Sequence, residues 1–283
     1  MEVKAGAKLN LTLDVIGRRE DGYHDLRMVM QTVELADTLR LEPGQGEGIR
    51  VKSNVGFLPA DEHNLAAAAA LAFQRETGIN TAPLDITLNK VIPICAGLGG
   101  GSSDAAAVLR ALNQIHEAGL SMEQLARIGE QVGSDVPYCV MGGTALAEGR
   151  GEILTPLPPL PRCRVVLCKP DFSVSTPALF ARIDSVRLRC RPDTKGVLAA
   201  LEQGDLEGVA RRLYNVFEDA LPPRCASKVE QVKSVLIQSG ALGAVMSGTG
   251  SAVYGLFRDE TCAQDAYEQL RQLYSETFLT DTV

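Results

Sequence analysis

The chain has 283 residues, of which 45% are hydrophobic and 22% are charged, a composition that supports a sizeable buried core and argues against wholesale disorder. It carries 35 acidic against 28 basic residues, a formal net charge of −7, and it has no long basic run. This balance argues against a nucleic-acid-binding surface. A nucleotide remains compatible with it, because a nucleotide needs only a few local hydrogen-bond donors.

Cysteine usage and the first residues of the chain indicate the compartment. The seven cysteines are scattered singly, without a Cys-x-x-Cys pair, and the three histidines complete no zinc-ligand spacing. The opening segment MEVKAGAKLNLTLDV lacks the basic residues and apolar core of a secretory signal, and no apolar stretch is long enough to span a bilayer. We therefore expect reduced cysteines, no membrane contact and a cytoplasmic location.

The first half of the chain shows patterns typical of an α+β protein. Apolar and polar residues alternate strictly over 9–15, which predicts a strand with one buried face and one polar face. Ser121 is predicted to cap a helix, with Gln124 at the position that completes a capping box. In chain order the predicted elements are a strand over 9–15, a helix over 64–77, a strand over 84–90, helices over 105–115 and about 121–131, and a strand over 144–147.

Four prolines between residues 156 and 161 form the clearest change in composition, and we place a domain boundary there. The sequence thus predicts two domains, residues 1–158 and residues 159–283. The elements predicted in the second are a strand over 165–168, helical residues over 195–214 with a break near Gly204, a helix over 228–238, strands over 244–246 and 252–257, and a final helix over 263–274. A loop of small residues, Ser-Gly-Thr-Gly, occupies 247–250.

Residues 93–106, PICAGLGGGSSDAA, join the strand that ends near residue 90 to the next helix. Glycine opens backbone conformations that are closed to other residues, and it removes the side chains that would exclude a ligand. The start of the helix offers unpaired N–H groups and a partial positive charge, and we expect Ser102 or Ser103 to cap it. This combination is suited to cradling phosphates.

The glycine loop matches neither of two common nucleotide fingerprints. It is not a Walker A motif, because no Gly-Lys-Ser/Thr follows, and Ser102 stands where the third glycine of the dinucleotide fingerprint belongs. The loop residues by themselves leave two interpretations open. One is a phosphate cradle, and the other is a flexible glycine turn capped by serine.

Three further groups of residues are candidates for chemistry, and each has an ordinary structural alternative. Lys8 begins the first strand, where a surface lysine is the usual explanation. Asp135, between a serine and Val-Pro, is most often a turn residue or a helix cap. Tyr23 and His24 in a loop are either surface residues or the source of an aromatic face and a hydrogen-bonding edge for a base.

Taken together, these segments resemble one superfamily, that of galactokinase, homoserine kinase, mevalonate kinase and phosphomevalonate kinase. PICAGLGGGSSDAA looks like the phosphate-binding motif of this superfamily. AKLNLTLDVIGRREDGYHDL, GSDVPYCVMGGTALAEGRGE and SGTG are more particular, and they resemble the members whose substrate carries a cytidine diphosphate group. The match runs in order from residue 7 to about residue 257.

The resemblance implies an α+β, two-domain kinase, with an N-terminal ribosomal protein S5 domain 2-like domain that binds ATP and a C-terminal ferredoxin-like domain. It implies ATP-dependent phosphorylation of the 2-hydroxyl of a methylerythritol group joined to cytidine diphosphate, in the non-mevalonate route to isoprenoid precursors. ATP is the expected co-substrate and Mg²⁺ the expected metal ion. Nucleic acid and membrane are not expected as partners, and the oligomeric state stays open.

The resemblance also implies which residues act. Asp135 would accept the hydroxyl proton as general base, and Lys8 would keep it ionised and neutralise the transferring phosphoryl group. Ser103 is the expected ligand of Mg²⁺, since hydroxyl oxygens suit a hard cation, and Asp104 is expected to complement the helix dipole. The expected nucleotide contacts are Asn64, Lys90, Pro93, Ile94, Cys95, Ala96, Gly97, Leu98, Gly99, Gly100, Gly101, Ser102 and Ser103. The expected substrate contacts are Asn10, Tyr23, His24, Thr176 and Phe180.

Two rival hypotheses stand beside this one. A kinase of the same superfamily that acts on homoserine or mevalonate would have no base to stack, and the aromatic faces of Tyr23 and Phe180 argue against it. A regulatory module that binds ATP without chemistry would need neither Lys8 nor Asp135. Lys90 is equally well explained as a charge at the end of a strand, and Arg150 receives no role.

Overall fold

The structure is a computed structural model that describes residues 1–283. Strands and helices are interleaved along the chain, which confirms the predicted α+β class. None of the helices is long and apolar enough to cross a membrane. The strands are β1 (Glu2–Arg18), β2 (His24–Pro43), β3 (Ile49–Ser53), β4 (Leu84–Asn89), β5 (Thr144–Gly149), β6 (Ile153–Pro156), β7 (Arg164–Cys168), β8 (Tyr214–Asn215), β9 (Gly243–Met246), β10 (Val253–Phe257) and β11 (Thr277–Asp281). The helices are α1 (Leu65–Thr77), α2 (Gly100–Ile115), α3 (Met122–Glu130), α4 (Val136–Met141), α5 (Thr176–Ile183), α6 (Thr194–Glu202), α7 (Leu206–Ala210), α8 (Phe217–Ala220), α9 (Pro223–Gln238) and α10 (Glu260–Leu273).

Backbone contacts divide the chain into two compact units. Unit 1 comprises Met1–Ala7, Leu35–Ile92 and Gly99–Gly142. Unit 2 comprises Lys8–Glu34, Pro93–Leu98 and Gly143–Val283. The long strands β1 and β2 therefore contribute residues to both units. The domain boundary predicted after residue 158 stays a prediction.

Unit 1 pairs a small sheet with alanine-rich helices. The second half of β2 runs antiparallel to β4, with Thr38 opposite Asn89, and β4 runs parallel to β3. Helices α1 and α2 pack against each other, and their small buried side chains allow the two backbones to approach closely. The buried alanines are Ala66, Ala67, Ala69, Ala70 and Ala72 of α1 and Ala105, Ala106, Ala107 and Ala111 of α2.

Two helices of unit 1 begin where the sequence predicts. The predicted helix over 64–77 is α1, and Asn64 caps it by accepting a hydrogen bond from the backbone N–H of Ala66 at 3.0 Å. Ser121 and Gln124 form the predicted capping box of α3, each side chain accepting a hydrogen bond from the other residue's backbone N–H. Local capping chemistry therefore determines both starts.

Helix α2 begins earlier than its periodicity predicts. Gly99 occupies the N-cap position in the left-handed region, with φ of 66°, and the helix starts at Gly100 without a side-chain cap. The expected cap by Ser102 or Ser103 is therefore wrong, because both serines already lie inside the first turns of the helix. The glycines lack the apolar spacing by which the start of a helix is recognised, so the sequence pattern underestimates its length.

Unit 2 contains an antiparallel four-stranded sheet in the order β11-β7-β10-β9. Helix α9 packs against β10 and helix α10 against β7, the arrangement expected of a ferredoxin-like domain. In the same unit, the first half of β2 pairs with β5, and β5 pairs with β6. The predicted strands over 165–168, 244–246 and 252–257 correspond to β7, β9 and β10.

One predicted helical stretch, residues 195–214, is shorter in the structure. It is divided into α6 and α7 around Gly204, as predicted, but Tyr214 belongs to strand β8 instead of to a helix. Tyr214 pairs in parallel with Thr12 of β1. A strand pairing with a residue distant in sequence overrides local helical periodicity, and the sequence pattern contains no signal for it.

Strand β1 has two buried faces where the alternation predicts one. Its polar side chains in unit 2 are buried to at least nine-tenths, and they share the strand face predicted to be polar. These side chains are Lys8, Asn10, Thr12 and Asp14. Because buried polar groups need hydrogen-bond partners, this face must contact other polar atoms of the protein or a ligand.

Unit 1 buries three charged side chains against one another. The ammonium of Lys90 donates to the carboxylate of Asp37 and to Oδ2 of Asp104, the latter at 2.7 Å. The three side chains are 6%, 0% and 4% exposed, respectively. Lys90 is therefore not a surface charge at a strand end. Asp104 is bound to a buried cation, so its expected role as a simple complement to the helix dipole is wrong.

The two carboxyl groups of this cluster are not equivalent. Oδ1 of Asp37 also accepts hydrogen bonds from the backbone N–H groups of Val91, at 2.5 Å, and Ile92, at 2.8 Å. Oδ1 of Asp104 is buried without a hydrogen-bond partner. Burial, reinforced by the charge of Asp37, raises the pKa of Asp104 to about 7 despite the attraction of Lys90. Asp104 therefore takes up a proton as the pH falls through this value.

Asp104→Asn is expected to remove a pH dependence of stability. The pKa of Asp104 is about 7 in the folded protein against an ordinary 3.8, so the folded state holds a proton that the unfolded chain releases between these values. The free energy of unfolding of the wild type should therefore fall as pH rises through this interval. An amide resembles the protonated carboxyl and does not titrate in this range. The free energy of unfolding of the variant, relative to that of the wild type, should therefore rise by on the order of 1–3 kcal/mol between about pH 5 and about pH 8.

Urea unfolding of both proteins across this pH range measures the difference. Asp25→Asn is the matched control, because Asp25 pairs with Arg19 in solvent and such pairs contribute little to stability. Parallel pH profiles for wild type and Asp104→Asn would show that the fold does not hold a proton on Asp104.

Candidate active site

The first half of the glycine loop, Pro93–Leu98, belongs to unit 2, and the Ser-Gly-Thr-Gly loop holds it in place. Gly97 has φ of 78°, and a Cβ there would lie 2.1 Å from the carbonyl oxygen of Ser247, so only glycine fits. The hydroxyl of Ser247 donates to the carbonyl of Gly97 at 2.9 Å. The backbone N–H of Ala252 donates to the carbonyl of Ala96 at 3.0 Å.

The second half of the glycine loop is the start of helix α2 in unit 1. The first hydrogen bond inside the helix runs from the N–H of Ser103 to the carbonyl of Gly99 at 2.8 Å. The N–H groups of the three residues between them have no partner within the helix, and no side chain caps them. Gly101, the middle one, is exposed. This is the arrangement in which helix starts bind phosphate.

Lys90 lies directly beside this helix start. A Cβ at Gly100 would lie 3.2 Å from the ammonium nitrogen of Lys90 and 3.1 Å from a methyl carbon of Ile92. The glycine therefore allows the ion cluster of Lys90, Asp37 and Asp104 to approach the loop backbone. Asn64 uses its amide locally, since Nδ2 donates to the carbonyl of Pro59 at 2.9 Å while Oδ1 caps α1. Contacts of Lys90 and Asn64 with ATP stay predictions.

Lys8 is a buried residue of unit 2, so its interpretation as a surface lysine is wrong. Its side chain is held among buried polar atoms, and the residue is 4% exposed. The ammonium donates to Oδ1 of Asn10 at 2.8 Å, and Nδ2 of Asn10 donates to the sulfur of Met28 at 3.3 Å. The hydroxyl of Tyr254 fixes the backbone of Asn10 through a hydrogen bond of 2.9 Å. An ammonium removed from water in this way is costly, which favours a functional role.

Asp135 lies in unit 1 immediately before helix α4. It occupies the N-cap position, but its side chain makes no capping hydrogen bond, so its interpretation as a helix cap is wrong. The helix start is instead supported by Pro137, whose missing N–H suits the first turn. The Asp135 residue is half-buried. Because Lys8 belongs to unit 2 and Asp135 to unit 1, their joint action stays a prediction.

The predicted base-binding residues include one exposed ring and one buried ring in unit 2. Tyr23 is 58% exposed, and the guanidinium carbon of Arg150 lies 5.4 Å from its ring centroid. His24 is 8% exposed, and its ring lies 5.0 Å from that of Phe180 with an interplanar angle of 31°. An exposed aromatic face therefore lies next in sequence to an ordered hydrogen-bonding ring.

Helix α5 positions two of the predicted substrate residues. Thr176 is its first residue, and its hydroxyl lies 2.9 Å from that of Thr249 in the Ser-Gly-Thr-Gly loop. Phe180 follows one turn later and packs against Phe217 edge to face, with centroids 4.9 Å apart. Since Phe217 is buried, this contact restrains the ring of Phe180.

The sequence patterns do not predict two residues, one in the ion cluster of Lys90 and one beside His24. Asp37 occupies an inward position of β2, in phase with the buried Leu39 and Leu41, and an acid in the apolar phase of a strand is the signal that identifies it. Asp184 hydrogen-bonds the ring of His24, with 2.8 Å between Oδ1 and Nε2. No sequence pattern connects Asp184 with His24, because the two residues are distant along the chain.

Two family models match the chain. The model described as GHMP kinases N terminal domain matches residues 64–143, and the one described as GHMP kinases C terminal matches residues 197–276. The first match includes the glycine loop and Asp135. The second includes the Ser-Gly-Thr-Gly loop.

Two bacterial relatives match over nearly their whole length. A protein of Exiguobacterium sibiricum is 46% identical over 278 residues, covering 98% of this chain and 96% of the relative. A protein of Lachnospira eligens is 43% identical over 285 residues, covering 98% of each. Both carry the name 4-diphosphocytidyl-2-C-methyl-D-erythritol kinase.

Solved structures agree with these matches. The crystal structure of a 4-(cytidine 5'-diphospho)-2C-methyl-D-erythritol kinase superposes with a TM-score of 0.82 at 35% identity, covering 100% of this chain and 99% of that one. Homoserine kinase from Cytophaga hutchinsonii shares the fold, with a TM-score of 0.74 at 21% identity over 100% and 94% of the two chains. With both family models and relatives matched along its length, this chain is an ATP-dependent small-molecule kinase of the GHMP class and belongs to the 4-diphosphocytidyl-2-C-methyl-D-erythritol kinase family.

Proposed function

We propose that the protein transfers the γ-phosphoryl group of ATP to the 2-hydroxyl of 4-diphosphocytidyl-2-C-methyl-D-erythritol, a step of the non-mevalonate route to isoprenoid precursors. The observation that carries this proposal is the buried ammonium of Lys8, held by Asn10 on a strand face that packing alone would fill with apolar groups. Phosphoryl transfer needs such a cation near the transferring group, because charge is spread over its equatorial oxygens.

Asp135 is the proposed general base. Its carboxylate makes no capping hydrogen bond with its own helix, and the residue is half-buried. A carboxylate within hydrogen-bond reach of the acceptor hydroxyl would take its proton as the phosphoryl group arrives. Lys8 would stabilise the charge of the transferring phosphoryl group.

The glycine loop is the proposed phosphate cradle. The N–H groups at the start of α2 lack partners within the helix, and Gly101 leaves them open to an anion. The helix dipole adds a partial positive charge at the same place. This favours the phosphate cradle over the flexible turn, the alternative that the loop sequence leaves open.

Magnesium is the proposed metal ion, and the residues present suit an ion that is shared with the triphosphate. Ser103 is buried, and its hydroxyl donates to the carbonyl of Gly6 at 2.6 Å, which leaves oxygen lone pairs for a cation. The chain has no group of three or more acidic, histidine or cysteine side chains that could hold a metal by itself. Magnesium in kinases usually binds one or two side chains together with substrate phosphates, and there it neutralises developing charge.

Tyr23, His24 and Phe180 are the proposed residues for the cytidine. The exposed face of Tyr23 is available for stacking, and the His24 ring, ordered by Phe180, offers a polar edge. Homoserine and mevalonate contain no base, so a kinase for either would not need this set of rings. A regulatory module would need neither Lys8 nor Asp135.

A coupled assay of ADP release tests the proposed function. The full chain is given ATP, Mg²⁺ and the diphosphocytidyl substrate, homoserine or mevalonate in parallel. ADP release with the diphosphocytidyl substrate alone is the expected result. Release with homoserine or mevalonate alone would overturn the proposal, and no release with any of the three would favour the regulatory module.

Asp135→Asn keeps the shape of the side chain and removes the proton acceptor. We expect kcat to fall by about two to four orders of magnitude, while ATP binding changes little. Steady-state kinetics and calorimetry with ATP separate the two effects. Asp61→Asn, at an exposed acid of the same unit, is the control and should keep wild-type turnover. A kcat within about tenfold of wild type would remove Asp135 from the proton transfer.

Gly101→Val places a branched side chain over the proposed phosphate cradle. A Cβ at this position would already lie 3.1 Å from Leu65, and the valine methyls would cover the N–H groups of the helix start. We expect ATP affinity to fall by at least about tenfold while the protein stays folded. Gly56→Val is the matched control, because a Cβ at Gly56 meets no atom within 4 Å. Unchanged ATP affinity of a folded Gly101→Val variant would mean that the loop is only a turn.

Tyr23→Ala removes the proposed stacking face. Stacking on a base contributes roughly 1–3 kcal/mol in single-stranded nucleic-acid binders, so we expect the KM for the diphosphocytidyl substrate to rise about ten- to a hundredfold. The KM for ATP should stay near its wild-type value. Tyr267→Ala is the matched control, since Tyr267 also lies under an arginine, with Arg271 5.5 Å from its centroid. If both tyrosine variants behave alike, Tyr23 does not stack on the base.

A further inference from the structure

The ring of His24 is held in two directions by one helix. Its Nε2 lies 2.8 Å from Oδ1 of Asp184, and its face lies against the ring of Phe180, with centroids 5.0 Å apart. Phe180 and Asp184 are four residues apart at the end of α5, so they project from the same side of the helix. The aromatic contact sets the plane of the imidazole, and the carboxylate sets its rotation within that plane.

Asp184 also determines which nitrogen of the ring carries hydrogen. A carboxylate only accepts hydrogen bonds, so the contact requires a hydrogen on Nε2 of His24. In the neutral imidazole, this leaves Nδ1 with its lone pair. Nδ1 makes no hydrogen bond within the protein, and it is not among the atoms that are buried without a partner. Its lone pair is therefore open to a ligand.

An acceptor at this position distinguishes two pyrimidine bases. Cytosine presents its N4 amine as a donor, whereas the equivalent O4 of uracil is an acceptor. The lone pair of His24 Nδ1 would accept a hydrogen bond from the amine and would repel O4. If the ring were free to place its hydrogen on Nδ1, it would instead donate to O4, and the preference for cytosine would weaken.

We propose that Asp184 is a positioning residue that selects cytosine over uracil by fixing the tautomer and orientation of His24. This inference rests on the proposed function, since it requires the base to bind at His24. Asp184 acts through His24 and does not itself contact the substrate. Its other carboxylate oxygen, Oδ2, lies 4.0 Å from Arg18, whose side chain is 66% exposed, so that pair is weak and screened by solvent.

A purely structural role for Asp184 makes a different prediction. Asp184 lies at the C-terminal cap of α5, and its loss would then loosen Phe180 and His24 together. Such loosening would weaken the binding of every pyrimidine nucleotide to a similar extent. The ratio of two affinities therefore separates the positioning role from the structural one.

Calorimetry with cytidine 5'-monophosphate and uridine 5'-monophosphate on the full chain tests the proposal. The wild type should prefer the cytidine nucleotide, and Asp184→Ala should reduce the ratio of the two affinities by about tenfold. Asp184→Asn should keep most of the preference, because its Oδ1 still accepts from Nε2. Arg18→Ala is the matched control, since it removes the other partner of the carboxylate and should keep the wild-type ratio.

An Asp184→Ala variant with the wild-type ratio would overturn the proposal, and so would equal losses for both nucleotides. Nitrogen-15 NMR of His24 in the wild type adds a test that needs no variant: hydrogen on Nε2 alone is expected, and hydrogen on Nδ1 contradicts the proposal. The proposed function fails separately. It fails if the wild type releases no ADP with the diphosphocytidyl substrate, whereas the role of Asp184 fails if that activity is present and the affinity ratio is insensitive to Asp184→Ala.

Discussion

Removing an ammonium group from water is costly unless the charge is paired and hydrogen-bonded, and this constraint shapes both units of the protein. In unit 1, Lys90 meets the constraint with two carboxylates and becomes part of a closed ion cluster. In unit 2, Lys8 contacts the neutral amide oxygen of Asn10. The cluster around Lys90 holds loop backbone in place, because Asp37 also accepts hydrogen bonds from the N–H groups of Val91 and Ile92.

Close contacts with the glycine loop explain why glycine occupies particular positions in it. Gly97 is required because the carbonyl of Ser247 occupies the space of a side chain, whereas a Cβ at Gly100 would lie tightly against a methyl carbon of Ile92 and the ammonium of Lys90. Each half of the loop is thus shaped by its own unit, through a close contact with the loop backbone. The exposed Gly101 differs, since only the flexible side chain of Leu65 is near its Cβ position. At that position the absence of a side chain serves the proposed ligand more than the packing.

Local signals in the sequence predict much of the fold, and long-range contacts account for what they miss. The capping residues Asn64 and Ser121 identify helix starts because their hydrogen bonds reach only a few residues along the chain. Asp37 and Asp184 are not predicted, because their partners Lys90 and His24 are brought to them only by folding. The same limit explains why a surface position is the default interpretation of Lys8. Its burial depends on strands and helices that are distant in sequence.

The proposed recognition of the base divides between two kinds of contact. Stacking on an aromatic face such as that of Tyr23 contributes affinity, but every base has such a face, so it selects weakly. Selection comes from a polar group whose hydrogen bond is lost with the wrong partner, because a buried acceptor left unpaired is costly. The ring of His24 meets this condition only if its hydrogen is fixed on one nitrogen. Selectivity then resides in the carboxylate of Asp184, which caps the C-terminal end of α5 and bonds Nε2 of the ring. Any substitution that frees the ring would therefore lower selectivity between bases while leaving the stacking energy unchanged.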